Sequence, residues 1–186
     1  MVSTHLITAT ELETLGSDAR FELIQGVLHE MSPSSSNSSA VGLRLAIELG
    51  AYIYRHDLGI VTGADGGFRV ESNPDSVAQP DIGFIRKERM HLWPGQKGLF
   101  PGVPDLAIEI ISPTDERGDI QRKMALYERT RVPLVWWIDP IRRATVIQRA
   151  DQPVQHLAST ASLDGESVVP GFSIPLSLLF EFIPNN

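Results

Sequence analysis

Residues 106–111 carry a nearly continuous apolar run, Leu106, Ala107, Ile108, Ile110 and Ile111, the pattern of a strand covered on both faces. Ser112-Pro113 ends it, because proline has no N–H and restricts the residue before it. Thr114 or Asp115 is placed to cap the helix that follows. At about 100° per residue, Ile120, Met124 and Tyr127 make one apolar stripe with Leu126 on its flank, while Arg122, Glu128 and Arg129 fall outside. Residues 132–138 (V-P-L-V-W-W-I) read as another strand, closed by Asp139-Pro140, and residues 144–148 as a further one. Beyond Asp151 the pattern weakens to short strands and a last apolar segment over 176–183.

The N-terminal half alternates more. Thr10 and Glu13 fit a capping box on a short helix that Gly16 can close. Residues 21–31 (F-E-L-I-Q-G-V-L-H-E-M) are two short strands around Gln25-Gly26, a two-residue hairpin turn. The serine-rich residues 32–39 read as a flexible loop that ends by capping a helix over 38–56. Val41, Leu45, Leu49 and Tyr52 form one stripe of that helix and Leu43, Ile47 and Tyr54 a second, which predicts packing on much of its circumference. Two short strands over 59–70 flank a glycine-rich turn, residues 71–79 read as a polar loop, and residues 80–85 as a strand with Asp81 at its entrance. Residues 86–103 read as an irregular connection.

The chain has 186 residues and no internal repeat or dividing linker, so one domain over 1–186 is expected. An apolar fraction of 42% and a charged fraction of 21% are those of a globular protein. The net charge of -7 argues against broad nucleic-acid binding over the whole surface but leaves room for a local basic groove. With no cysteine, disulfides and thiolate metal sites are excluded. The sequence shows neither a basic-then-apolar leader nor an apolar run of about 18 residues, so a cytoplasmic protein without a membrane segment is expected.

Two acids and a lysine carry the candidate chemistry. Glu109 interrupts a buried strand, and a buried carboxylate needs a metal, a cation or a proton. Lys123 falls inside the apolar arc of the next helix, toward the end of that strand. The two are either a structural ion pair or parts of a catalytic site. If the strand led by Asp81 pairs with that of Glu109, both carboxylates meet at one end of the sheet, as hard oxygen donors suited to Mg²⁺ or Mn²⁺, with the Ile110 carbonyl as a third ligand. A metal so held lowers the pKa of bound water and stabilises phosphoryl charge, and Lys123 would orient that water or stabilise the developing charge. Glu22, on the first strand, reads by itself as an exposed strand residue. The five histidines are scattered without paired spacing, which argues against zinc.

The blocks P-D-I-G-F-I, P-D-L-A-I-E-I-I-S-P, R-G-D-I-Q-R-K-M-A-L-Y and V-P-L-V-W-W-I-D-P, preceded by F-E-L-I-Q-G-V-L-H-E-M-S-P, resemble in order the Uma2 family, also called DUF820. Its members are predicted nucleases of the PD-(D/E)XK, restriction-endonuclease-like superfamily. The resemblance implies an α+β fold with an α/β-type core, a mixed central sheet flanked by helices, and a homodimer. It implies that Asp81 and Glu109 are the superfamily's metal-binding acids, that Lys123 is its lysine displaced onto the following helix, since Ile111 stands at the usual position, and that Glu22 is the acid of the first block, supporting the metal or its surroundings. The function implied is Mg²⁺-dependent hydrolysis of phosphodiester bonds, with DNA cut endonucleolytically. Many members have a histidine near the start of the long helix; residues 34–40 have none. The alternative is a catalytically silent, dimeric interaction module that keeps the fold and its acid–lysine core for structure alone.

Overall fold

The computed structural model describes residues 5–15, 21–93, 95 and 98–183. Its centre is a six-stranded mixed sheet. The strands are β3 (Gly59–Thr62), β6 (Ile82–Arg86), β8 (Leu106–Ile110), β9 (Leu134–Asp139), β10 (Ala144–Arg149) and β11 (Gln155–Leu157), in the order β11-β10-β9-β8-β6-β3. Only β8 and β9 run parallel; the crossover between them is the helix α3 (Arg117–Arg129), and the other pairs of this sheet are antiparallel.

The apolar run of β8 is explained by its two covered faces. Leu106, Ile108 and Ile110 pack with Ile82, Phe84, Trp136 and Ile138 beneath the helix α2 (Ser36–Arg55), against Val41, Leu45, Leu49 and Ile53. Ala107 faces the other way and packs with Val135 and Trp137 against Leu126 and Tyr127 of α3. Strand side chains alternate faces, so Glu109 belongs to the α3 side. Ile120 and Met124 sit only partly buried beside that cluster.

A second, five-stranded sheet lies beyond what the sequence led us to expect. It comprises β1 (Phe21–Ile24), β2 (Val27–Glu30), β4 (Phe68–Glu71), β5 (Ser76–Ala78) and β7 (Phe100–Pro101), in the order β2-β1-β5-β4-β7. The hairpin turn at Gln25-Gly26 is present, with both residues at positive φ (50° and 77°). The supposed polar loop at 71–79 contains β5, whose Val77 and Ala78 are fully buried between neighbours. Three residues are too short to show alternation. The connection at 86–103 likewise holds a 3₁₀ helix (Lys87–Leu92) and β7, which pairs parallel with β4. A small β12 (Ser162–Asp164)–β13 (Ser173–Pro175) ribbon and the helix α4 (Leu176–Phe180) close the C-terminal end over the α2 core.

Several local expectations shift. The helix α1 (Ala9–Thr14) is capped by Thr8 with Glu11 at N3, and not by Thr10 with Glu13. Both frames satisfy the capping pattern; the earlier one prevails because it buries Ala9 and Leu12 against Leu23 and Val77 and lets the Ala9 N–H reach Asp75. Gly16, expected to close this helix, lies outside the described residues. Helix α3 has Glu116 at its N-cap without a side-chain cap, because Asp115 accepts from the Ser112 N–H and Thr114 bonds Pro33 and Ser112. The strand expected over 132–138 starts at Leu134, two residues late. The second stripe of α2 is open to solvent, with Leu43 63%, Ile47 58% and Tyr54 59% exposed, so this helix packs on one face only. No helix among the described residues is long and apolar enough to cross a membrane.

Candidate active site

The antiparallel register Ile82↔Ile108 sets Asp81, just before β6, beside Glu109 on β8. The Ile110 N–H donates to Asp81 Oδ2 at 2.7 Å, which locks the two chain segments together. Lys123 and Tyr127 stand four residues apart on α3, hence on one face of the helix. They grip opposite oxygens of one carboxylate: Lys123 Nζ donates to Glu109 Oε2 at 2.7 Å, and the Tyr127 hydroxyl to Glu109 Oε1 at 2.5 Å.

Glu22 reaches the same lysine from the second sheet. Its Oε1 lies 3.1 Å from Lys123 Nζ and accepts the Gln79 N–H at 3.2 Å. Far from being an exposed strand residue, Glu22 is 4% exposed, close to the 6% of Glu109. Alternation on β1 sends Leu23 into the α1 core and Glu22 toward α3. All the expected site residues therefore converge: Glu22, Asp81, Glu109, Ile110 and Lys123 line one cavity of about 90 Å³.

Three of its carboxylates, Glu22, Asp81 and Glu109, surround the Lys123 ammonium. Burial pushes Glu109 up to about 8, with Asp81 and Glu22 adding to the rise and Lys123 opposing it. Asp81 is also raised by burial, against the pull of the Ile110 N–H and of Lys123. Burial works against the Lys123 ammonium, but Glu109, Glu22 and Asp81 outweigh it and hold its pKa above the ordinary lysine value. Lys123 is therefore a fixed cation and not a proton acceptor. Burial, then the adjacent Glu109, also raises the Tyr127 phenol, which stays a donor.

The N-terminus of α2 is stitched to this end of the sheet. Ser35 caps the helix and its N–H donates to Ser112 Oγ; buried Ser38 donates to the Ile111 carbonyl. The serine-rich segment is thus an anchor and not a flexible loop where it meets β8.

The chain matches the family Uma2, described as putative restriction endonuclease, over residues 9–177. It belongs to the Uma2 family. Among solved structures it is similar to a putative nuclease belonging to DUF820 from Anabaena variabilis ATCC 29413, with a TM-score of 0.80 and 17% identity over 94% of this chain and 98% of that one. At that identity the likeness is one of fold, and it bears out the expected α+β architecture with mixed sheets flanked by helices. No curated protein matches the sequence.

In this Uma2 chain the sequence reading missed the role of Tyr127, which holds Glu109 from behind, and the cavity residues His29 and Arg122. Tyr127 was counted as core, and its hydroxyl is the part that matters; a polar tip on a buried aromatic four residues after a lysine was the available clue. Burial, then Arg122, holds His29 below the ordinary histidine value, against the pull of Asp119 and Glu22. His29 is brought in by its pairing opposite Glu22 across the hairpin, where histidine spacing along the chain carries no information.

Proposed function

We propose that this protein is a metal-dependent nuclease that hydrolyses phosphodiester bonds in DNA by endonucleolytic cleavage, with Asp81, Glu109 and the Ile110 carbonyl holding Mg²⁺ or Mn²⁺. The observation that carries this reading is the excess of carboxylates at the cavity: Glu22, Asp81 and Glu109 converge there beside Lys123. Burial holds Glu109 in its protonated form, and a divalent cation bound beside it would favour the carboxylate, so metal uptake and loss of that proton would go together. Asp81 Oδ1 takes no hydrogen bond among the described residues and offers a free oxygen donor. Carboxylate and carbonyl oxygens are the donors that Mg²⁺ takes, alongside water. Family membership and the fold of the Anabaena nuclease support the same reading.

A bound divalent ion would supply a lowered water pKa and charge stabilisation at the phosphoryl oxygens. The residues of this chain do the rest. Lys123, permanently charged and aimed by Glu109 and Glu22, orients the attacking water and stabilises negative charge gathering on the phosphoryl group. Glu22 acts through Lys123. Tyr127 fixes the rotamer of Glu109 by holding its far oxygen. Water adds to phosphorus and gives up a proton to solvent, the ester P–O bond breaks, and the departing alkoxide takes a proton back from solvent.

Purified protein is expected to cut plasmid DNA when Mg²⁺ is supplied, and Asp81→Ala or Glu109→Ala to abolish the cutting. Equal cleavage by both variants would sink the reading. A homodimer is part of the proposal, with the exposed Ile47 and Tyr54 on the outward side of α2 as its apolar contact.

One observation favours a second reading, a silent interaction module. Both oxygens of Glu109 already accept hydrogen bonds, and among the described residues no group of three or more His, Cys, Asp or Glu is spaced to hold a metal ion. Thermal melts separate the two. A metal site predicts stabilisation by added Mg²⁺ or Mn²⁺ through linkage; a structural ion pair predicts none.

A further inference from the structure

A second hollow of about 270 Å³ adjoins the acid-lined cavity, between the first turns of α2 and the turn after β3. Ser34, Asp81 and Ile110 line both, so the two hollows adjoin at Asp81. The walls of the second are Gly42, Leu43, Ala46, Gly63, Ala64 and Ile82. It stays open because small residues stand where side chains would fill it: a Cβ at Gly42 would already lie 3.3 Å from Ile110 Cγ1.

The charge of the two hollows differs. Arg122 and Lys123 line the first; among the described residues no lysine or arginine lines the second, and Asp81 is part of its wall. A phosphate is disfavoured there. A neutral group with apolar faces and a polar edge fits, and the exposed hydroxyls of Ser34 and Ser39 can meet that edge. Resting on the nuclease reading above, we propose that this groove receives one nucleoside, sugar and base, next to the phosphodiester being cut. A base already paired and stacked in a duplex has its edge and faces occupied, so the occupant is an unpaired nucleoside, and the substrate is single-stranded at this position.

Gly63→Leu and Ala46→Leu fill the groove from opposite walls. A Cβ at Gly63 meets no heavy atom within 4 Å, so the fold accommodates the change there. Binding of a fluorescein-labelled single-stranded oligonucleotide is read by anisotropy in Ca²⁺, and cleavage in Mg²⁺. Each variant is expected to raise Kd about tenfold, the scale of a blocked apolar contact. The ratio of kcat/KM on the oligonucleotide to that on methyl para-nitrophenyl phosphate should fall by a similar factor. A blunt duplex of the same sequence should compete poorly. An unchanged Kd and ratio in both variants overturn the groove assignment while leaving the nuclease reading intact, and so does a change of oligomeric state in place of the Kd change. Failure of the unaltered protein to bind the oligonucleotide or to hydrolyse either diester overturns both readings.

Discussion

Glu109 is the residue on which the chemistry and the stability of the site both turn. In the folded chain it keeps its proton up to about pH 8, against an ordinary value of 4.5. Folding therefore takes up a proton between these values, and stability is greatest on the acid side and falls as pH rises toward 8. Asp81 shifts in the same direction. Lys123, also raised, contributes stability that persists until far more alkaline pH and does not offset the fall. In metal-free buffer, Tm should drop by several degrees between about pH 5 and 8, at roughly 2–4 °C per kcal/mol for a chain of this size. Glu109→Gln should flatten that slope; a slope unchanged in the variant would show that the raised carboxylate is elsewhere. Lys123→Met should cost about 3–5 kcal/mol in urea unfolding, because it strands buried carboxylates without a counter-charge.

Among the elements, α3 and β8 show how much could be read ahead of the structure. The apolar run of β8, its acid and the lysine inside the apolar arc of α3 were legible, because each is a local pattern one or two turns long. The pairing of β6 with β8 was legible as a condition and is met in the register Ile82↔Ile108. Illegible were contacts between distant segments. Glu22 meets Lys123 from another sheet across about a hundred residues of chain, and β5 is too short to announce itself. The capping of α1 was ambiguous by two residues and was decided by tertiary burial, and the α2 stripe of Leu43, Ile47 and Tyr54 has the right period but stays exposed among the described residues. The anchoring of α2 was missed because serine-rich composition suggests looseness, whereas Ser38 is buried and donates to the Ile111 carbonyl. Ser38→Ala should cost about 1–3 kcal/mol by leaving that carbonyl without its donor. Mg²⁺-dependent cleavage should fall with it, because the α2 end and the Asp81–Glu109 end of the sheet share this tie. Urea unfolding and a plasmid-nicking assay check the two halves; lost stability with undiminished cleavage would separate the anchor from the site.

For the molecule as a whole, the difficulty is that a chain of net charge -7 is to bind a polyanion. Its carboxylates at the cavity repel a phosphodiester, and among the described cavity residues only Arg122 and Lys123 carry a fixed positive charge that attracts one. Lys123 is already matched by Glu109 and Glu22. Few phosphates can then be neutralised directly, and the slope of log K against log salt, about -0.9 for each phosphate contacted in duplex DNA and -0.7 in a single strand, should be shallow. The same argument gives opposite signs for binding and cutting on loss of an acid. Asp81→Asn removes a negative charge beside the substrate and should tighten metal-free binding of an oligonucleotide. It also removes a hard oxygen donor and should abolish Mg²⁺-dependent cleavage. Anisotropy titrations over a range of salt, run beside cleavage assays on the same preparation, measure both. If Asp81→Asn binds DNA more weakly without metal, the carboxylate is serving the fold or a partner surface, and the excess of carboxylates at the cavity has another purpose than to seat a cation against a phosphate.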